Sequence, residues 1–400
     1  MRPGFLEFFA GIGLVHIGLD SSGWRCIYAN DISEKKKEMY QHEMPDAFYY
    51  HCEDIWKTDA IVERIKEPAL LATASFPCID LSLAGNMKGI RGEHSSTFYG
   101  FVEIMRRLKN EGRMPPMLML ENVTGLFTGN GGKDFNEVCL AASELGFYLD
   151  AFIIDAKHFI PQSRPRLFIL GMIEEILPSS MIRHWETSWW EQIQTRSEYN
   201  SPRLATAMKN LRLPTGWIAF DLPPLPPVKR NIASVIDLDN NQEWWDDEAV
   251  RKHLEMTSDL HRQRITKMMD SGNLWIGTMF RRIREGKTRA EMRFDGLAGC
   301  LRTAKGGSAK QAVIVVDSGT VKMRWMSPVE YARLQGVPHY PIRVRRNQAL
   351  TGFADAVCVP VIEWIDHNVL SPVAASLGFE LEDQKPLAFN TRQLSFFGTV

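Results

Sequence analysis

From residue 5 to about residue 172 the chain alternates short apolar runs with amphipathic stretches: FLEFFA, IGLVHIGLDSSG, WRCIYAND, AIVERIKE, LLATASF, FVEIMRRLK, MLMLEN, FNEVCLAASELGF, YLDAFIID and RLFILGM. Short apolar runs bounded by turn residues read as buried strands, and the longer stretches carry the helical period. Strands that alternate with helices build a mostly parallel, doubly wound sheet covered on both faces, so the fold class is α/β. Past Gly171 the character changes to Trp185, Trp189, Trp190, the proline run DLPPLPPVKR, then Trp217, Trp244, Trp245 and Trp275. A second, smaller and irregular domain is expected there, with the tryptophans as its core. One helix is predicted inside it, over DEAVRKHLEMTSDLHRQRITKMM, opened by acidic residues and stopped by Ser271-Gly272. NQALTGFADAVCVPVIEWIDHNVL reads as a buried helix that returns to the first domain. The predicted boundaries are 1–178 plus 340–400 for the first domain and 179–339 for the second.

Bulk properties exclude several classes. Four hundred residues with 44% hydrophobic content suffice for two cores. A formal charge of -1 means that a nucleic-acid partner would meet a local basic surface. The six cysteines (26, 52, 78, 139, 300 and 358) include no CxxC pair, so neither a metal site nor a disulfide is expected. No run of about 18 uninterrupted apolar residues and no tripartite leader occurs, which leads us to expect a cytoplasmic protein without membrane association.

The segment Phe9-Ala10-Gly11-Ile12-Gly13 ends a strand with glycines that let the backbone approach a ligand before the next helix opens. A tight strand-to-helix turn explains it equally well, since the dinucleotide fingerprint would need glycine where His16 stands. Asp31 closes the next strand, where a carboxylate can accept the hydroxyls of a ribose, and Asp54 follows the third strand, where it would meet an adenine amino group. Each acid alone is also an ordinary cap. An adenosine-containing cofactor accounts for all three positions together.

ATASFPCIDLSL carries a strand into Pro77-Cys78 and then into a polar, glycine-studded loop, which presents a thiol at a sheet edge. A cysteine at that position becomes a nucleophile when nearby cations favour its thiolate. The PCxxC half of a zinc deaminase site is excluded, because position 81 is Leu. Glu121 and Asn122 close the strand LMLENV at the same edge, and a carboxylate on an apolar strand needs a partner. Arg164 and Arg166, one residue apart in PQSRPRLF, would point the same way from an extended segment and supply it. A structural ion pair is the plain alternative.

The ordered set FAGIG, FPC, ENV, QSRPR and RWMSPVEYARLQG resembles the DNA cytosine-5 methyltransferases, over roughly residues 5–172 and 300–370. The resemblance implies an S-adenosylmethionine-dependent, Rossmann-like catalytic domain, a target-recognition domain, and duplex DNA as substrate. It makes Cys78 the nucleophile at cytosine C6 and puts Glu121 on N3 and the amino group. Arg166 would contact the pyrimidine O2, and Arg164 would hold Glu121 and the base in register. Cofactor contacts would come from Phe9, Ala10, Gly11, Ile12, Gly13, Asp31, Ile32, Asp54, Ile55, Pro77, Phe98, Asp355 and Ala356. The loop bearing Ser82, Lys88 and Arg91 would close over a flipped base. Base readout would fall within about 179–310, with Arg281, Arg282, Arg284 and Lys305 meeting DNA.

Some positions depart from the family pattern. Glu7 stands for the usual Asp, Leu14 for a glycine, Ile79 for Gln, and Ala354-Asp355-Ala356-Val357 for Gly-Asn-Ala/Ser-Val. An acid at Asp355 would repel the carboxylate of the cofactor. Two other activities compete with the main reading: methylation of tRNA cytosine on the same fold, and a catalytically silent DNA-binding homologue. A nicotinamide oxidoreductase fits only the first 60 residues. The chain begins almost at the first motif, so a stand-alone, monomeric bacterial or phage enzyme is expected, paired with a restriction or defence nuclease and without an appended regulatory domain.

Overall fold

The computed structural model describes residues 1–77, 97–177, 189–239, 242–303 and 310–382. The described residues divide into two compact units, one within 1–155, 165–225 and 361–382, the other within 156–164 and 226–360. The division therefore falls after Leu225 and not near residue 179, and the helical stretch at 346–376 is shared between the units.

The first unit is built on a seven-stranded sheet. Its strands are β1 (Gly4–Phe8), β2 (Arg25–Asp31), β3 (Tyr50–Cys52), β4 (Leu71–Ala74), β5 (Met117–Val123), β6 (Tyr148–Asp155) and β7 (Pro165–Met172). They lie in the order β3-β2-β1-β4-β5-β7-β6. β1 to β5 run parallel, and β7 is antiparallel to both of its neighbours. Because β7 runs the other way, its start meets the end of β5, with Val123 opposite Arg166. Four helices separate the first strands: α1 (Leu14–Asp20), α2 (Glu34–Glu43), α3 (Thr58–Arg64) and α4 (Thr97–Asn110). Burial on both faces follows from this arrangement, and β1 and β4 are buried at every position. Phe8 and Phe101 pack edge to face at 5.1 Å in a core that also holds Leu118, Leu120, Phe135 and Leu167. Each such side chain contributes roughly 1.5–3 kcal/mol by leaving water.

Trp217 belongs to this unit, against expectation. It stacks on Phe135 at 6.1 Å and donates its indole N–H to the Leu211 carbonyl. Trp24 is also fully buried, with its N–H on Asp366 at 2.8 Å.

The second unit holds a four-stranded antiparallel sheet of β8 (Trp275–Arg284), β9 (Lys287–Arg293), β10 (Gln311–Asp317) and β11 (Thr320–Trp325), in the order β11-β10-β8-β9. Its core is Met279, Ala290, Met292, Ile314, Val316 and Met323 packed against Val250, Ile265 and Met268. The single helix expected over 247–269 is two, Asp247–Glu255 and Asp259–Asp270. Thr257 turns its hydroxyl back onto the Leu254 carbonyl, and Ser258 caps the second helix through the His261 N–H. A side chain that satisfies a helix end competes with continuation of the first helix.

RWMSPVEYARLQG is anchored in this unit by charge. Arg324 and Glu330 form an ion pair at 2.5 Å with side chains 1% and 0% exposed, and Glu330 completes a capping box with Ser327. The stretch Arg346–Ser376 is apolar and long enough to pass a membrane-span criterion, yet 67% of its apolar window is buried inside the protein. It reads as core, and it is interrupted where the helix Arg346–Asp355 gives way to extended backbone at Ala356.

Candidate active site

Five of the expected residues, Cys78, Ser82, Lys88, Arg91 and Lys305, lie outside the described residues. The remainder fall into four groups.

At the carboxyl ends of β4 and β5, Glu121 is buried and its Oε1 accepts from Arg166 Nε at 3.0 Å. Asn122, beside it, donates from Nδ2 to the Phe76 carbonyl at 3.2 Å and accepts from the Val123 N–H at 2.9 Å. Phe76 packs on Phe98 at 4.9 Å. The strand that carries Glu121 thus also fixes the backbone two residues before Cys78. Sequence reasoning had no role for Asn122 or Phe76, because the contact joins residues 46 apart.

Glu121 pairs with Arg166 and not, as expected, with Arg164. Arg166 opens β7 and takes Glu121. Arg164 precedes the strand, so the two-residue strand period does not put it on the same face. Its guanidinium donates to the carbonyls of Leu301 at 3.2 Å, Ala354 at 3.1 Å and Ala356 at 2.5 Å, within the second unit. Gln162, fully buried, works alongside it, with Nε2 on the Leu334 carbonyl and Oε1 accepting the Leu301 N–H. Arg164 is a clamp of main chain, and Glu121 is held by Arg166.

The third group is the turn after β1. Phe9, Gly11 and Gly13 all take left-handed backbone, at φ 58, 59 and 83. A phenylalanine in that region is strained, and such strain gathers where a ligand is held. A Cβ on Gly13 would stand 2.8 Å from the Tyr40 ring, so only glycine lets α1 start there. Asp31 braces the turn by accepting from Gly11 N at 3.1 Å and from Ser33 N at 2.9 Å. A carboxylate has about four acceptor positions, so two remain for hydroxyl groups. Ile32, beside it, is 71% exposed, and Ile55 and Phe98 are buried. Asp54 turns its carboxylate to the Trp56 N–H at 3.0 Å, with Trp56 itself half exposed. The two acceptor positions left on Asp31, beside the exposed Ile32 and Trp56, fit an adenosine group. Asp355 is exposed at the end of its helix, and the Ala356 carbonyl is taken by Arg164 and Gln335.

Beneath the turn lies a buried polar cluster. Ligating atoms of Glu7, His16 and Cys26 lie within 4.8 Å of one another. The His16 ring meets the Tyr40 hydroxyl at 2.6 Å, and Glu7 accepts from that hydroxyl and from the His16 N–H at 3.2 Å each. Burial pushes the Glu7 carboxyl up to about 8 and the His16 ring down to about 4. Both groups are therefore neutral around pH 7 and offer no negative charge to a cation.

The arginines expected to meet DNA are not equivalent. Arg281 lies over the Trp325 ring at 5.0 Å, and Arg282 forms a fork on Glu291 at 2.6 and 2.8 Å. Arg284 is exposed.

The parallel sheet with an inserted antiparallel strand, the glycine turn after β1 and the second antiparallel unit together define an S-adenosylmethionine-dependent methyltransferase type of fold. The model of the C-5 cytosine-specific DNA methylase family matches residues 4–371, and the chain belongs to that family of DNA cytosine-5 methyltransferases. It is 24% identical over 383 residues to the type II methyltransferase M.HhaI of Haemophilus parahaemolyticus, covering 94% of this chain and 95% of that one. It is also 24% identical to M.DsaV of Dactylococcopsis salina, over 92% of this chain and 86% of that one. Among solved structures it resembles the Dnmt2 methyltransferase of S. pombe, with a TM-score of 0.56 at 15% identity, over 94% of this chain and 100% of that one.

Proposed function

We propose that the protein transfers a methyl group from S-adenosylmethionine to C5 of a cytosine flipped out of a specific duplex DNA sequence, with Cys78 as nucleophile. The observation that carries this reading is the joint placement of Glu121 and Asn122. One residue offers a buried, arginine-paired carboxylate, and the next grips the carbonyl of Phe76, immediately before Pro77-Cys78.

Cytosine C5 is a poor nucleophile until a thiolate adds at C6 and turns the ring into an enamine. Glu121 would hold the proton at N3 and accept from the amino group, which stabilises the adduct. Arg166 orients that carboxylate and balances its charge. When bound, the cofactor supplies the methyl group on a sulfonium centre. Loss of the C5 proton to a base and departure of the Cys78 thiolate then restore the aromatic ring. A stacked base cannot meet both sulfur centres, so it leaves the duplex at a cost on the order of a few kcal/mol. The loop with Ser82, Lys88 and Arg91 would close over it.

The turn Phe9–Gly13 with Asp31, Ile32, Asp54, Ile55, Pro77 and Phe98 would hold the cofactor, and residues within about 179–310 would read the DNA. The likeness to type II methyltransferases supports a role in marking DNA against a companion nuclease, and the enzyme would act as a monomer. The test is covalent trapping on a random-sequence duplex in which 5-fluorocytosine replaces cytosine. With S-adenosylmethionine, the wild-type protein should form a denaturant-stable adduct mapped by mass spectrometry to Cys78, and Cys78→Ser should form none. An adduct on another residue, or none on DNA and one on transfer RNA, would refute the proposal.

A further inference from the structure

Phe9, Gly11 and Gly13 place three left-handed residues in one short turn. Glycine loses more conformational freedom on folding than any other residue, so Gly11 needs anchors from outside the turn. Two side chains supply them. The Gly11 N–H donates to Asp31 Oδ2 at 3.1 Å, and the Gly11 carbonyl accepts from Tyr50 Oη at 3.2 Å. These two groups belong to the peptide planes on either side of the Gly11 Cα. Peptide groups are rigid, so holding both planes fixes φ and ψ of the residue between them.

Asp31 has acceptor positions left for a ligand, whereas Tyr50 meets the turn from within the protein. Tyr50 opens β3 in register with Ala29 of β2, two residues before Asp31. Its ring is 3% exposed and rests on the Tyr40 ring at 4.5 Å. Tyr40 stands against Gly13 and gives its hydroxyl to Glu7, so the surface that holds Tyr50 is itself fixed. The Tyr50 phenol is thereby aimed at one carbonyl across 39 residues of sequence. Because that hydroxyl comes from the buried side, the Gly11 carbonyl points inward, and its negative end is kept from the open face of the turn. A buried tyrosine needs a partner for its hydroxyl in any case, so a turn set for a ligand must be told apart from a core that is merely satisfied.

On the reading of the protein as an S-adenosylmethionine-dependent methyltransferase, we propose that Tyr50 is a positioning residue for the cofactor, holding the turn after β1 in its binding shape before the ligand arrives. It touches no reacting atom. Such preorganisation raises affinity by removing an ordering cost from the binding step. Its loss therefore falls on cofactor binding and leaves the methyl-transfer step as it was.

The experiment compares full-length wild type with Tyr50→Phe and Tyr199→Phe. Phenylalanine at position 50 keeps the ring on Tyr40 and removes only the hydroxyl. Tyr199, also buried in the first unit, donates its hydroxyl to the Pro223 carbonyl, so Tyr199→Phe loses the same kind of bond elsewhere. One such hydrogen bond changes an equilibrium roughly two- to tenfold. S-adenosylmethionine affinity by calorimetry should fall by that factor in Tyr50→Phe and stay level in Tyr199→Phe. In the ligand-free protein, amide hydrogen exchange over residues 8–15, read by mass spectrometry, should quicken by a similar factor in Tyr50→Phe alone. In steady-state methylation, the KM for S-adenosylmethionine should rise in Tyr50→Phe while kcat holds. Unchanged affinity and exchange in Tyr50→Phe, a fall of kcat at constant KM, or an equal loss of affinity in Tyr199→Phe would overturn the positioning role alone. A wild-type protein that does not bind S-adenosylmethionine would defeat the cofactor reading and the role of Tyr50 with it.

Discussion

Glu7 offers a measurement of how strongly burial acts on the polar cluster under the turn after β1. Its carboxyl is fully buried and pushed up to about 8, whereas in the unfolded chain it titrates near 4.5. The folded protein therefore binds one more proton than the unfolded chain between those values. Stability from this group is fully present below pH 4.5 and is lost as pH rises through 8. At about 1.4 kcal/mol per pH unit the loss totals roughly 5 kcal/mol. His16 runs the other way. With its ring held down to about 4 against 6.5, stability is gained across that window, so in the wild type the two groups largely offset one another up to pH 6.5. Above it the Glu7 slope is no longer offset by His16, and about 2 kcal/mol should be lost from Glu7 by pH 8. Glu363, raised by burial to about 7, adds a loss of the same sign. Glu7→Gln isolates the effect, because glutamine keeps the shape of the neutral acid and cannot ionise. Urea unfolding followed by tryptophan fluorescence should show the variant gaining on wild type by about 3 kcal/mol between pH 5 and 7.5. A difference that does not change with pH would refute the neutral, buried state of Glu7.

Arg324→Ala leaves the buried Glu330 carboxylate without its ion partner and should cost about 3–5 kcal/mol in urea unfolding; a loss below 1 kcal/mol would contradict the buried pair. Asn122→Ala removes the grip on the Phe76 carbonyl, so the methyl-transfer rate at saturating substrates should fall about tenfold or more while S-adenosylmethionine affinity by calorimetry stays level. Equal rates would show that the turn before Cys78 holds itself. Asp355→Asn removes an acid from a helix C-terminus and should tighten S-adenosylmethionine binding; unchanged affinity by calorimetry would place Asp355 away from the cofactor carboxylate.

Local pattern carried much of this structure. Six of the apolar runs of the first 172 residues became strands of the seven-stranded sheet, and the glycines after β1 became a turn with left-handed backbone because no other residue fits at Gly13 against Tyr40. ENV and QSRPR were visible as motifs, but their partnerships were not. Whether Glu121 meets Arg164 or Arg166 depends on where β7 begins, because only a residue inside the strand is held in register opposite β5. The contact of Asn122 with Phe76 is long-range and leaves no trace in either segment. Trp217 looked like part of an aromatic second domain because composition says nothing about which core a tryptophan joins. The break at Thr257-Ser258 was encoded locally, in a serine followed by an acid, but the helical period on either side concealed it.

The central claim is that this chain methylates DNA cytosine through Cys78. Bisulfite sequencing of DNA from a host without its own cytosine methylation, expressing either the wild-type chain or Cys78→Ser, tests it most directly. The account predicts protected cytosines in one recurring sequence context with the wild type and none with the variant. Protection that survives Cys78→Ser, or no protected DNA cytosine with either chain, would contradict it.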